Sequence, residues 1–337
     1  MVAMTQDLPR SRDGLPMEWV ATGFGPLFPG LPGGLAPVLT LDGDTVAGAT
    51  VTAGIMHRGI AASLRGPVAT LPGRLARLDP LTATGYRVLA YRAIANIGQM
   101  TAAAPEAPGW IGAVERERAM NHLGWLAAFG ELLGDAWLAD RAARLHLGLV
   151  RARDIAGVAA LRPAIDRLMR DTRRASLLRR RLAGVGVIDR ATALAAHGPV
   201  ARASGVGADI RGDEPAYQAL GFSPVLHDAG DAFARLRVRL DEIGQSLDLV
   251  AAAGSIDPPS PAVSSGLPGA GMAAIETPRG QASLHIEVSG GDVQAAHLQT
   301  PSAAHVSLVA DLTKGLELGD ALAVIASLDL SPWELDP

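Results

Sequence analysis

The sequence predicts an α+β fold in which a core of long helices is held between two small β regions. Three observations carry that prediction. Short apolar runs punctuated by Gly and Pro occupy the N-terminal stretch, apolar residues recur at helical spacing after Pro80, and short alternating runs return beyond a Pro-, Ser- and Gly-rich stretch before a helical tail. By segment, this gives an N-terminal β region (1–62), a helical core (63–253), a loop or linker (254–271) and a C-terminal β/α region (272–337) closing onto the core.

In order, turns are expected from Gly25-Pro26 through Gly33-Gly34, and then a hairpin in which Ala36–Leu41 and Thr45–Ala53 flank Asp42-Gly43-Asp44. Leu81–Gln99 and Pro108–Leu133 read as helices. Pro163, suited to a first helical position, reads as the start of a third that runs to Leu182. That helix carries Arg167, Arg170, Arg173, Arg174, Arg179, Arg180 and Arg181, either a solvated face or a docking surface for an acidic partner. Asp189–Ala196 reads as a short helix capped at Gly198, and Asp231–Ala253 as an amphipathic one with Phe233, Leu236, Leu240, Ile243 and Leu247 on its apolar stripe. Ala273–Ile275, Ala282–Val288 and Val293–Leu298 read as antiparallel strands, followed by helices that end at Ser331-Pro332.

Composition narrows the function. The net charge of −4 gives no general attraction to nucleic acid. The absence of cysteine excludes disulfides, thiolate nucleophiles and self-ligated iron–sulfur clusters. The most apolar stretch, Met120 to Leu138, is interrupted by His122, Glu131 and Asp135, so no spanning helix is expected. The first residues show no secretory leader, and the expectation is a soluble cytoplasmic chain. No Walker loop, dinucleotide fingerprint or nucleophile elbow supports an independent enzyme.

Three sets of residues carry a family resemblance. The first is Gly54-Ile55-Met56-His57-Arg58-Gly59-Ile60. The second runs from Gly184-Val185-Gly186 through Gly198-Pro199, Arg202-Ala203-Ser204-Gly205-Val206, Asp209-Ile210-Arg211 and Gly230-Asp231 to Arg235, Arg239 and Glu242. The third is Ile275-Glu276, Pro278-Arg279-Gly280, Pro301-Ser302 and Val324–Asp329. Together they resemble the large subunits of energy-converting (membrane-bound) nickel–iron hydrogenases and the 49 kDa (D-type) subunit of complex I. The resemblance implies a nickel–iron hydrogenase large-subunit-like fold: a central long-helix bundle with small β-sheet elements near the N-terminus and in the C-terminal third.

The chemistry of the family does not carry over. Active hydrogenases hold nickel and iron with two Cys-x-x-Cys pairs, and soft thiolates suit those metals. Aligned on Arg77 and Asp329, the four positions fall on Asp79, Thr82, Ser331 and Glu334, and none is a soft ligand. Asp79 and Glu334 could face one another, though two carboxylates alone make a poor divalent-ion site. The 49 kDa subunit of complex I instead uses a histidine and a tyrosine at a quinone-head cavity. Here Pro32 and Pro80 take those places, and proline can neither donate a side-chain proton nor hydrogen-bond a carbonyl.

The resemblance further places His57, Arg58 and Arg77 toward a partner's iron–sulfur cluster, with a structural role in loop bonding as the other reading. Glu115, Arg118 and His122 share a helix face at i, i+3, i+7 and suit a buried polar network. Arg202, Asp209 and Arg211 suit an architectural one, an Asp between two arginines staying ionised. These readings imply a peripheral subunit of a membrane-associated respiratory complex related to NADH-quinone oxidoreductase and energy-converting hydrogenase. Such a complex carries NAD- and quinone-linked electron transport. The chain itself would bind no cofactor and no metal, and Pro32 and Pro80 argue against quinone. Expected partners are an iron–sulfur small subunit like the B-type one of complex I, bearing a four-iron–four-sulfur cluster, a protein like the C-type subunit, and antiporter-like membrane subunits. Through them the chain would lie on the inner face of the cell membrane. The alternative is a non-catalytic scaffold or assembly protein that keeps only the fold.

Overall fold

The computed structural model describes residues 19–52, 59–98, 108–258, 260 and 268–335. It opens with strands β1 (Val20–Gly23), β2 (Ala36–Asp42) and β3 (Thr45–Thr52), which form an antiparallel sheet in that order. Then come α1 (Ile60–Ser63), β4 (Gly66–Pro67), α2 (Leu71–Leu75) and α3 (Ala83–Ala95), and four long helices: α4 (Pro108–Leu133), α5 (Ala136–Arg151), α6 (Ile155–Arg174) and, later in the chain, α11 (Ala232–Ala253). Between α6 and α11 lie the short α7 (Ser176–Leu182), α8 (Arg190–Ala193), α9 (Gly198–Arg202) and α10 (Pro215–Ala219). Strands β5 (Gly269–Thr277), β6 (Gly280–Ser289) and β7 (Asp292–Gln299) join β4 in a second antiparallel sheet of order β4-β7-β6-β5. Helices α12 (Pro301–His305), α13 (Leu308–Thr313) and α14 (Leu318–Ser327) complete the chain.

Aspartates start three of the four long helices. Asp135 accepts a hydrogen bond from the Leu138 amide, Asp154 from Gly157 and Asp231 from Ala234, which satisfies amides that have no partner within the helix. Helix α11 stops at Gly254, whose left-handed φ of 71° turns the chain away. Helix α4 is buried nearly all round and packs at the centre, against α3, α5, α11 and α14.

Two apolar clusters result. The larger joins the long helices to β2, β3, α13 and α14, and includes Leu39, Leu123, Phe129, Leu240 and Ile325. The smaller packs α2 and α3 against β5–β7 around Leu75, Tyr86, Leu284 and Ile286. Among the described residues, no helix is long and apolar enough to cross a membrane.

Three expectations change. Pro163 does not begin a helix: it lies inside α6, which starts at the Asp154 cap and ends at Arg174, before α7. A proline there removes the bond to the Ala159 carbonyl, but both residues are exposed, so water takes the freed oxygen. Gly198 is not the C-cap of the preceding helix but the first residue of α9. The 254–271 stretch is not loop throughout, because β5 begins at Gly269.

Candidate functional site

The four positions that stand where the family's metal ligands would be come together, and a guanidinium lies among them. Asp79 and Thr82 stand in the turn between α2 and α3, with Thr82 as the N-cap residue of α3. Ser331 and Glu334 follow α14. Arg279 sits in the two-residue turn between β5 and β6, where Thr277 pairs with Gly280. Gly198 lets this turn close on α9: a side chain there would meet the Arg279 carbonyl oxygen at 2.3 Å.

Arg279 Nη1 donates to Asp79 Oδ2 at 2.6 Å and to Thr82 Oγ1 at 3.3 Å, and lies 3.6 Å from Glu334 Oε1. Its Nε donates to the Asp329 carbonyl at 3.0 Å and lies 3.3 Å from Asp329 Oδ1. Ser331 donates to Asp79 Oδ2 at 2.9 Å. Tyr86 donates its hydroxyl to Glu334 Oε1 at 2.8 Å, and the Ser302 hydroxyl donates to Oε2. All these side chains are buried.

The electrostatics follow from one cation among three carboxylates. Burial opposes the charge on Arg279, but Asp329, Asp79 and Glu334 outweigh it and raise its pKa. Burial, with Asp79 beside it, raises the Glu334 carboxyl against the pull of Arg279, and burial next to Glu334 drives the Tyr86 phenol well above its usual range. Nearby, burial pushes Glu117 up to about 7, even though it accepts from the Gly85 and Thr84 amides.

This site does not fit a nickel–iron centre. Its donors are hard oxygens already engaged in hydrogen bonds, and Arg279 would have to leave before any ion could approach. Asp79 and Glu334 do meet, but across the guanidinium. Beside them, between the 30–35 loop, α4 and residues 325–333, lies a cavity of about 140 Å³ lined by Pro32, Trp125, Arg279 and Asp329 among others. Pro80 is exposed.

A second buried assembly gathers the other polar candidates. Glu115 on α4 lies 3.1 Å from Arg118 Nε and 3.2 Å from Arg211 Nη1, and accepts from Tyr217 at 2.8 Å and Ser246 at 2.7 Å. Asp209 bridges Arg211 at 2.7 Å and Arg202 at 2.9 Å. Arg202 also holds Glu242 and Glu276, each at 2.8 Å. His122 Nε2 lies 2.8 Å from Glu242, and burial lowers the His122 pKa despite that partner, so the neutral ring donates a hydrogen bond. Burial opposes ionisation throughout. Arg118 and Arg211 still hold Glu115 low, Arg211 and Arg202 hold Asp209 low, and Arg202 and His122 hold Glu242 well below the carboxylate range. Glu276 is the exception, raised to about 7 by burial and by Asp209.

Glu242, Glu276, Tyr217 and Ser246 were not assigned to this network from sequence. Two of them carried a signal: Arg235, Arg239, Glu242 and Ser246 recur at spacings of four, three and four, a polar stripe on one face of α11. Arg77 is exposed two residues before Asp79. His57 and Arg58 lie outside the described residues.

The same fold occurs in a chain of the membrane-bound sulfane sulfur reductase, an archaeal respiratory membrane complex, with a TM-score of 0.81 over 95% of this chain and 99% of that one, at 24% identity. By fold, then, this is an α+β protein with the same architecture as that chain. The chain belongs to the family described as respiratory-chain NADH dehydrogenase, 49 kDa subunit, which it matches over residues 154–265 and 262–337. It is 30% identical to the D-type subunit of NADH-quinone oxidoreductase from Desulfotalea psychrophila, across 95% of this chain and 98% of that protein. It is 28% identical to the combined C/D-type subunit of NADH-quinone oxidoreductase from Cereibacter sphaeroides, covering 98% of this chain and 68% of that one.

Proposed function

We propose that this chain is a peripheral component, of the 49 kDa type, in a membrane-associated respiratory oxidoreductase complex. It docks on an iron–sulfur small subunit through the flank at Arg77 and holds no metal itself. The observation that carries this reading is the closure of Asp79, Thr82, Ser331 and Glu334 on Arg279 within the family fold. The chain would then serve as the wall against which a partner's cluster is packed. A cation at Arg77 near such a cluster raises its reduction potential. The combined C/D-type relative supports a neighbour of the C type. Antiporter-like membrane subunits would complete the assembly on the inner face of the membrane. Ordinary quinone reduction is not part of the proposal, because Pro32 offers the cavity no proton.

Pro32 also favours a second reading, a scaffold that has lost redox chemistry. Co-expression with the neighbouring genes separates the two. The subunit reading expects a soluble complex with iron on the small subunit and no nickel, and a lone chain that self-associates through its uncovered flank. Arg77→Glu should release the iron-bearing partner while leaving the chain folded. A monomeric lone chain with no co-purifying partner would leave only the scaffold. One nickel per chain would overturn the placement of the four positions.

A further inference from the structure

Charge is distributed very unevenly along the chain. Residues 155–190 hold nine arginines and three aspartates, a net of +6 in a protein whose total is −4. Arg167, Arg170 and Arg174 on α6 are exposed and stand three and four residues apart, which stacks like charges on one helix face. Such pairs destabilise a helix by about 0.2–0.5 kcal/mol each. Arg179 and Arg180 on α7 and Arg237 on α11 extend the exposed surface. Among the described residues, none of these six has an ion-pair partner, whereas neighbouring Arg173 is tied to Asp241 at 2.6 Å.

The surface contains a cleft of about 320 Å³ lined by Arg173, Arg179, Arg237, His227 and Phe233 and by two carboxylates, Asp228 and Asp231, the latter held by the Ala234 and Gly184 amides. Asp241 accepts from both Arg173 and His227, so Arg179 and Arg237 are the cations the cleft leaves available. Leu177 and Val187 on the same stretch are 67% and 51% exposed. Aliphatic side chains set among arginines make a protein-docking surface, since guanidinium forks pair with carboxylates in two-point geometry. A lipid-facing patch would carry Trp or Tyr anchors, and none of the large exposed apolar residues between 155 and 237 is aromatic.

We infer that α6, α7 and the adjoining cleft dock an acidic segment of a partner protein, with a carboxylate seated between Arg179 and Arg237. This interface is separate from the flank at Arg77, so the two can fail independently.

The test uses the full chain with whatever subunits co-purify with it, and a fluorescent Glu-rich peptide as probe. Binding should weaken as salt rises, because the contacts are solvent-exposed. The triple variant Arg170→Glu, Arg174→Glu, Arg179→Glu should bind at least about tenfold more weakly, a difference of about 1.4 kcal/mol. Arg144→Glu, an exposed cation on α5, should change nothing. In the assembled complex, the triple variant should lose an acidic subunit while the iron-bearing one stays. Peptide binding unchanged by the triple variant, equally weakened by Arg144→Glu, or absent while phosphatidylglycerol vesicles bind, would overturn the inference. Thermal melts establish that each variant is folded.

Discussion

The buried interior holds two ionic assemblies with opposite balances of charge. Around Arg279, one cation faces Asp79, Asp329 and Glu334, and the remaining donors are hydroxyls and amides. Around Arg202, three arginines (Arg118, Arg202, Arg211) meet four carboxylates (Glu115, Asp209, Glu242, Glu276). They share the end of the β5–β6 hairpin. Arg118 donates to the Glu276 and Thr277 carbonyls at 2.7 and 2.8 Å, and Arg279 begins the other assembly two residues on. The acid-rich one keeps Glu334 raised, whereas the near-balanced one pulls Glu115, Asp209 and Glu242 down. The acid-rich assembly thus leaves Glu334 proton-retaining, whereas in the near-balanced one Glu276 alone is.

The largest expected effect comes from removing Arg279, the cation that pairs with the acid-rich assembly. Arg279→Ala leaves Asp79 and Glu334 with hydroxyl and amide donors only, and breaking a buried pair costs about 3–5 kcal/mol. Loss of the cation raises the Glu334 carboxyl further. The native state then holds more protons than the unfolded one, and the damage should be greater at about pH 8 than at about pH 5. Denaturant titration at both values checks this. Arg202→Ala should cost less, about 2–3 kcal/mol, because Asp209 keeps Arg211 and Glu242 keeps His122. A larger loss for Arg202→Ala would reverse the comparison.

How far sequence reaches differs between these elements. The span of helix α4, about Pro108 to Leu133, was legible from its helical spacing, and the β2–β3 hairpin was legible from its turn. Helix α5 was missed although Leu138, Ala142 and Leu149 line its buried face. Pro163 gives a strong start signal inside α6, and it outweighed the Asp135 and Asp154 caps that in fact begin α5 and α6. At the site, alignment located Asp79, Thr82, Ser331 and Glu334 but not what lies between them. Arg279 is about 200 residues from Asp79, and no local period reports that a hairpin turn will swing it there. The polar stripe of α11 was readable in principle, but its partners depend on how α4, α9 and β5 pack.

Glu276 tests the one place where the near-balanced assembly resembles the acid-rich one. Its folded pKa of about 7 lies above its ordinary value of 4.5, so between those values the native state binds more protons than the unfolded state. Stability from this group is therefore present at low pH and is lost as pH rises through that window, by roughly 3 kcal/mol. Glu276→Gln keeps an oxygen for Arg202 and removes the titration. The stability of the variant relative to wild type should rise from about pH 5 to about pH 8, and taking the difference cancels the other titrating groups. A flat difference would mean that Glu276 is ionised throughout and that Arg202 outweighs its burial.

The smallest effect gives the sharpest contrast, because the same chemical change can be made in both assemblies. Tyr86 and Tyr217 are buried phenols that each donate to a buried glutamate at 2.8 Å, Glu334 and Glu115 respectively. Replacing either by Phe removes one hydrogen bond and almost no apolar volume, a loss of about 1 kcal/mol. Glu115 stays ionised beside Arg118 and Arg211, so Tyr217→Phe should cost the same at about pH 5 and about pH 8. Glu334 is raised, and its ionised form depends on the Tyr86 donor. Without it the carboxyl rises further, and Tyr86→Phe should cost more at the higher pH than at the lower. Melting curves of the two variants at the two pH values give four numbers. If the pH dependence appears in Tyr217→Phe, or in neither, the division into an acid-rich assembly that raises Glu334 and a near-balanced one that keeps Glu115 ionised is wrong.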